Sequence, residues 1–148
     1  MVNGFFDFFR RRAEYGPVFI RLVVGWMLIW GTQDNVLSWE RMVEFAKFLG
    51  ARGTPFPLFA AHLSVYTQLV CGVLILLGAA VRAAAVPLII NFVAAVLIAH
   101  PGDTFAGTFP ALIMLASALF FLFHGAGKLS VDEALERRGA RAGVSLNE

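Results

Sequence analysis

Residues 57–99 read PLFAAHLSVYTQLVCGVLILLGAAVRAAAVPLIINFVAAVLIA, and Arg82 is the one Lys, Arg, Asp or Glu among them. A bilayer core about 30 Å thick is crossed by about 20 apolar residues in a helix. The stretch is too long for one crossing and has the length of two. Its least apolar point is Gly78-Ala79-Ala80 with Arg82, so the sequence predicts spans over about 57–80 and 83–99 joined by a tight turn at Arg82.

The same reading extends in both directions. Upstream, Pro17 sits where a first helical turn tolerates proline, and a span over about 17–35 closes in Gly31-Thr32-Gln33-Asp34-Asn35. Downstream, His100-Pro101-Gly102-Asp103 forms a turn into a fourth span over about 105–123. Between spans one and two, Ser38 caps a short helix over about 39–49, with Glu40 placed to favour the helix dipole. In that helix Trp39, Met42, Val43, Ala46 and Leu49 share helical spacing, while Glu40, Arg41, Glu44 and Lys47 point elsewhere. Too short and too charged to span, it lies on the membrane surface or folds into the mouth of the bundle. Gly50, Gly53, Pro55 and Pro57 end it. Pro87 and Pro110 fall near the starts of their spans, where lost backbone hydrogen bonds cost least.

The predicted fold class is therefore all-α: an integral membrane four-helix bundle with a short interfacial amphipathic helix between spans one and two. It forms a single domain over residues 1–148. Phe5, Phe6, Phe8 and Phe9 followed by Arg10, Arg11 and Arg12 suit an interfacial segment. The first apolar stretch runs past signal-peptide length and reads as a retained span. At the other end, Ser130-Val131-Asp132-Glu133 spells a capping box that opens a polar tail over 128–148.

Composition agrees. An apolar fraction of 59% and a mean hydropathy of +0.74 exceed what a soluble domain of 148 residues can bury. The net charge of +2 and pI near 9.1 come from basic clusters beside apolar runs, Arg10 to Arg12 and Arg137, Arg138 and Arg141. That is the pattern of lipid headgroups and insertion topology, not of a nucleic-acid module. The Lys and Arg bias places both termini on the cytoplasmic side. Cys71, alone within an apolar run, builds no disulfide or Cys-based metal site and reads as a small buried hydrophobe. No P-loop, HExxH or Gly-x-Ser-x-Gly occurs, and four short spans are few for a transporter acting alone.

Polar side chains within apolar spans are costly and call for a role. With this topology, Gln33, Asp34, Asn35, His62, Tyr66, His100 and Asp103 gather near the outer face, Arg21, Arg82, His124 and Lys128 near the inner face, and Gln68 and Asn91 at the centre. The outer set delivers imidazoles, a carboxylate, amides and a phenol to one depth. Such groups hydrogen-bond quinone carbonyls and exchange protons as the ring changes redox state. The plainer reading is a polar mouth whose side chains satisfy one another. His62 and His100 as axial haem ligands, and a metal site from His62, His100, Asp34 and Asp103, are weaker alternatives without diagnostic spacing. Arg21, one turn inside its span, is expected to snorkel to the inner surface, and Gln68 and Asn91 to hydrogen-bond between helices.

Three blocks resemble the DoxX family. Arg21-Leu22-Val23-Val24-Gly25 leading to Trp30-Gly31-Thr32-Gln33 resembles its opening R-L-x-x-G … G-x-x-K pattern. Gln68 to Gly78, followed by Arg82, resembles its second block, and Gly125-Ala126-Gly127-Lys128-Leu129-Ser130-Val131-Asp132 is similar to its G-x-G-x-x-S-x-D close. The chain departs from the pattern at Gln68, where many members carry an acid, and at Asp34, close to where many carry Lys. The resemblance covers about residues 17–136. It implies a four-span bundle that serves as a membrane subunit of quinone-linked oxidoreductases, such as thiosulfate:quinone oxidoreductase, in the bacterial cytoplasmic membrane.

Joined to that resemblance, the outer cluster gives the functional expectation. Quinone is the cofactor. His62 or His100 exchanges protons, Asp34 orients an imidazole, and Gln33, Tyr66, Gln68 and Arg21 bind the headgroup or its surroundings. The expected partners are the lipid bilayer, an oxidoreductase subunit carrying any flavin, haem or metal, and further copies of the chain. Two readings compete: a non-catalytic anchor or assembly factor for a redox or stress-response partner, and a carrier of small solutes or lipids.

Overall fold

A computed structural model describes residues 2–145, with side chains over 6–140; Phe5 and Arg141 fall outside the described side chains, and residues 1 and 146–148 outside the described residues. Helix α1 (Val2–Arg10) and a short 3-10 turn (Ala13–Tyr15) lead directly into α2 (Gly16–Leu37). Ser38, in extended conformation, ends α2, and its hydroxyl accepts from Arg41 N to start α3 (Trp39–Ala51). Helix α4 (Pro57–Leu77) stops at Gly78, whose φ of +70° is a conformation that glycine adopts without steric cost. There Gly78 N donates to Ile75 O and Ala79 N to Leu74 O, a paired C-cap that satisfies the last carbonyls.

Helix α5 (Val81–Ala94) continues as a π-helical segment over Ala95–Ala99. Thr104 then caps α6 (Phe105–His124), its hydroxyl accepting from Gly107 N. The last described helix is α7 (Val131–Ser145), whose start is a shifted form of the capping box: Ser130 Oγ accepts from Glu133 N, while a Glu133 carboxylate oxygen accepts from Leu129 N, one residue before the cap. Among the described residues, four helical stretches are long and apolar enough to cross a membrane: Ala13–Leu37, Pro57–Leu77, Val81–Ala99 and Phe105–His124. The α4–α5 turn is Gly78–Ala80, so Arg82 belongs to α5 rather than to the turn. Pro87 and Pro110 stand inside their helices, beyond the first turn.

The spans alternate in direction. One end of the bundle gathers the starts of α2 and α5, the ends of α4 and α6, and α7; it is called the α7 face below. The opposite α3 face gathers the end of α2, helix α3, the start of α4, the π segment and the His100–Asp103 turn. Helix α2 packs on α4, and α5 on both α4 and α6. The first pairing depends on two glycines. A Cβ on Gly25 would stand 2.9 Å from Gly72 O, and one on Gly72 would stand 2.9 Å from Leu28 Cβ. The backbones meet because neither residue has a side chain.

The core runs through all four spans, from Val24 and Leu28 through Cys71, Ile75 and Leu88 to Met114 and Phe121. A second cluster seats α3, whose Met42, Ala46 and Leu49 pack on Ala61 and Val65 of α4 and on Ala99. Helix α3 thus folds into the mouth of the bundle. On the outside, Phe19, Phe59, Ile90 and Phe123 are each about two-thirds exposed or more. Large apolar side chains turned outward on every span require hydrocarbon as their solvent.

Candidate functional site

The polar residues of the α3 face divide into two groups. On α4, His62 Nδ1 lies 2.8 Å from Leu58 O of its own helix, and the ring sits between Trp39 at 5.8 Å and Tyr66 at 6.2 Å. On the α5–α6 turn, His100 Nδ1 lies 2.9 Å from Asp103 Oδ2, while Asp103 Oδ1 accepts from Arg52 Nη2 at 3.0 Å. Arg52 Nη1 also donates to Pro101 O, which ties the α3–α4 loop to the turn. The carboxyl of Asp103 is held below its ordinary value of 3.8, first by the His100 hydrogen bond and then by that of Arg52.

A cavity of about 680 Å³ opens between α2, α3, α4, α5, the π segment and α6. Its wall is mostly apolar, with Leu28, Phe48, Phe92 and Met114 among the lining residues, and its polar points are Thr54, Ser64, Thr67, Gln68, Asn91 and His100. The space has a sequence origin. Ala60, Ala94, Ala95, Ala99 and Ala111 line it with minimal side chains, and Pro87 and Pro110 both face it. The π segment bonds His100 N back to Ala95 O, one residue further than an α-helix would, which widens the helix beside the cavity.

Of the residues singled out from sequence, His100 and Gln68 line this cavity; His62, Tyr66, Asp34, Gln33 and Arg21 do not. Asp34 is exposed on α2 and bonds neither imidazole; the carboxylate beside His100 is Asp103. Gln33 is half-buried near the same end of α2. Gln68 Nε2 donates to Ser64 Oγ at 3.1 Å, within its own helix rather than across to another. Asn91 lines the cavity and its side-chain amide has no hydrogen-bond partner among the described residues. Thr54 Oγ1 is likewise buried without a partner.

Arg21 lies at the opposite end. Only 2% exposed, it does not snorkel: Nη1 donates to Ala126 O at 2.8 Å and Nη2 to Leu129 O at 2.9 Å. The glycine-rich close of the chain is therefore bonded to the first span. Asp132 completes the junction by accepting from Ala80 N and Val81 N, which caps α5. Lys128 pairs with Glu133 and Glu14, and its amine is held above the ordinary value by those bonds, Glu133 first.

The fit to a quinone-class ring is good: apolar walls for the ring and tail, amide and hydroxyl groups for ring oxygens, and an imidazole anchored by a carboxylate at the rim. His62 and His100 occupy separate surroundings, and among the described residues no group of three or more His, Cys, Asp or Glu converges as metal ligands. Arg52 and Thr54 are the members that sequence reasoning missed; Asn91 was placed at the centre of its span but was expected to bond another helix, and it faces the cavity instead. The available signal for Arg52 and Asp103 was one cation and one anion in two loops at the same membrane face.

Comparison with known proteins bears on the same segments. Residues 16–101 match the family model described as DoxX. The uncharacterized membrane protein Rv3486 of Mycobacterium tuberculosis is 36% identical over 106 residues, covering 62% of this chain. The chain spans 65% of the length of that relative. No solved structure matches.

Proposed function

The chain belongs to the DoxX family, and on that premise we propose that it is an integral membrane subunit of a quinone-linked oxidoreductase that holds the quinone ring in the cavity at the α3 face. The observation that carries this reading is the cavity itself: about 680 Å³, apolar-walled, bounded by all four spans, with the carboxylate-anchored His100 in its lining. Pockets for small organic ligands occupy roughly 300–1,000 Å³ and combine apolar walls with few polar groups.

A bound quinone supplies an acceptor for two electrons and two protons. The electrons come from a partner subunit that carries the redox centre. The chain's own part is to exclude water from the ring, orient it, and exchange protons with the aqueous side. His100 suits the last task because its Nδ1 is fixed by Asp103, leaving Nε2 as the exchanging atom. Arg52 holds Asp103 ionised and so keeps the imidazole oriented. Arg82, Lys128, Arg137 and Arg138 on the α7 face favour a cytoplasmic position for that end of the bundle. The proton-exchanging rim then opens on the outer side of a bacterial cytoplasmic membrane.

Gentle purification from the native membrane tests this reading. Mass spectrometry should find quinone at near-equal stoichiometry together with an oxidoreductase subunit. A quinone-free protein, alone or with a non-redox partner, would sink the proposal in favour of an anchor or assembly factor.

A further inference from the structure

Asn91 sits on α5, ten residues from its start and eight before the end of the π segment, which places it near the middle of the span. Its side chain is half-buried, lines the cavity and meets no hydrogen-bond partner among the described residues. In hydrocarbon an amide without a partner is unfavourable, since neither water nor lipid tails replace the missing bonds. The other central amide differs: Gln68 Nε2 is occupied by Ser64. Pro87 stands one turn before Asn91 and the π segment begins one turn after it, so the local backbone departs from a regular helix on both sides and leaves room beside the amide. A second wall group, the buried Thr54 Oγ1, also lacks a partner.

We propose that Asn91 is the specificity-determining residue of the cavity, donating its amide hydrogen bond to a ring oxygen of a lipophilic quinone. This rests on the quinone reading above and adds to it the group that distinguishes a ring bearing carbonyls from an equally apolar molecule without them. The apolar wall sets how tightly any lipophilic molecule enters; the amide sets which one stays.

The test uses the full-length protein in lipid nanodiscs and two probes: decylubiquinone, and a matched decyl arene in which both ring carbonyls are replaced by C–H. The wild type should bind the quinone about tenfold more tightly than the arene, the discrimination of one well-placed hydrogen bond to an otherwise unpaired amide in an apolar cavity. Asn91→Leu should bring the two affinities within about twofold of each other. A preference that survives in Asn91→Leu would overturn the assignment and leave the quinone cavity standing. A wild type that binds neither probe would overturn both.

A photoreactive azidoquinone gives a readout that no folding defect in a variant disturbs. In the wild type it should label the stretch around Asn91, and labelling confined to other spans would refute the proposal.

Discussion

Gly78 and Arg21 are fitted to one another across two spans: a Cβ on Gly78 would stand 2.8 Å from Arg21 Cζ and would run into Nη1. The guanidinium lies across the α4–α5 turn because Gly78 offers no side chain there, and from that position it reaches Ala126 O and Leu129 O. The turn glycine, the buried arginine and the closing segment therefore form one joint at the α7 face.

Gly78→Ala should weaken that joint twice, through the clash with Arg21 and through a φ of +70° that alanine adopts with strain. Strain of that kind costs about 1–3 kcal/mol before the clash is counted. The unfolding free energy in mixed micelles should fall by at least that amount, and an unchanged value would show that the joint is loose.

Arg21→Leu removes two charged hydrogen bonds and leaves the buried Ala126 carbonyl and the partly buried Leu129 carbonyl without this donor. Bonds to charged groups contribute about 1.5–3 kcal/mol each, so a loss of about 3 kcal/mol or more is expected. Arg21→Lys should recover no more than part of this, because an ammonium lacks the fork that reaches both acceptors. Equal stability of the Lys variant and the wild type, read from thermal unfolding in detergent, would contradict the geometry.

The Asp103 carboxyl is lowered in the folded protein by His100 and then by Arg52. A depressed folded value means that its stabilisation is complete above the ordinary value of 3.8 and lost as pH falls through the lower, folded one. Acidification below about pH 4 should therefore loosen the α3 face, read as increased protease cleavage at the His100–Asp103 turn. In Asp103→Asn, cleavage should already be raised at neutral pH and change little on acidification. Parallel acid dependence in the two proteins would show that the bridge does not hold the turn.

On the proposed quinone reading, His100→Ala should lower quinone turnover by the purified complex about a hundredfold, a common contribution for a lost general acid or base. His62→Ala should change it less than about threefold, since His62 bonds its own helix and lies outside the cavity wall. Steady-state kinetics with both variants separates the two imidazoles, and the reverse ranking would move the site to the Trp39–His62–Tyr66 group.

The order of elements was legible residue by residue because its causes are local. Ser38 and Ser130 mark helix starts, the glycine and proline runs mark breaks, and each span needs only length and hydropathy. The same spacing put His62, His100, Asp34 and Asp103 at one end of the bundle, because a helix rises about 1.5 Å per residue whatever surrounds it. Rotation was not legible. In a span apolar on every side, little in the pattern marks which face meets a neighbour, and the π segment shifts the register again before His100.

The sequence by itself determined the four crossings, the amphipathic α3 and the depth of each polar residue, through chain length, capping and the cost of exposing polar backbone to lipid. Tertiary structure alone decided that Asp103 rather than Asp34 meets His100, that Asn91 faces the cavity with no partner among the described residues, and that Arg21 is buried at the opposite end. Those outcomes depend on how helices rotate when Gly25 meets Gly72 and α3 folds into the mouth, and such contacts join residues far apart in the chain.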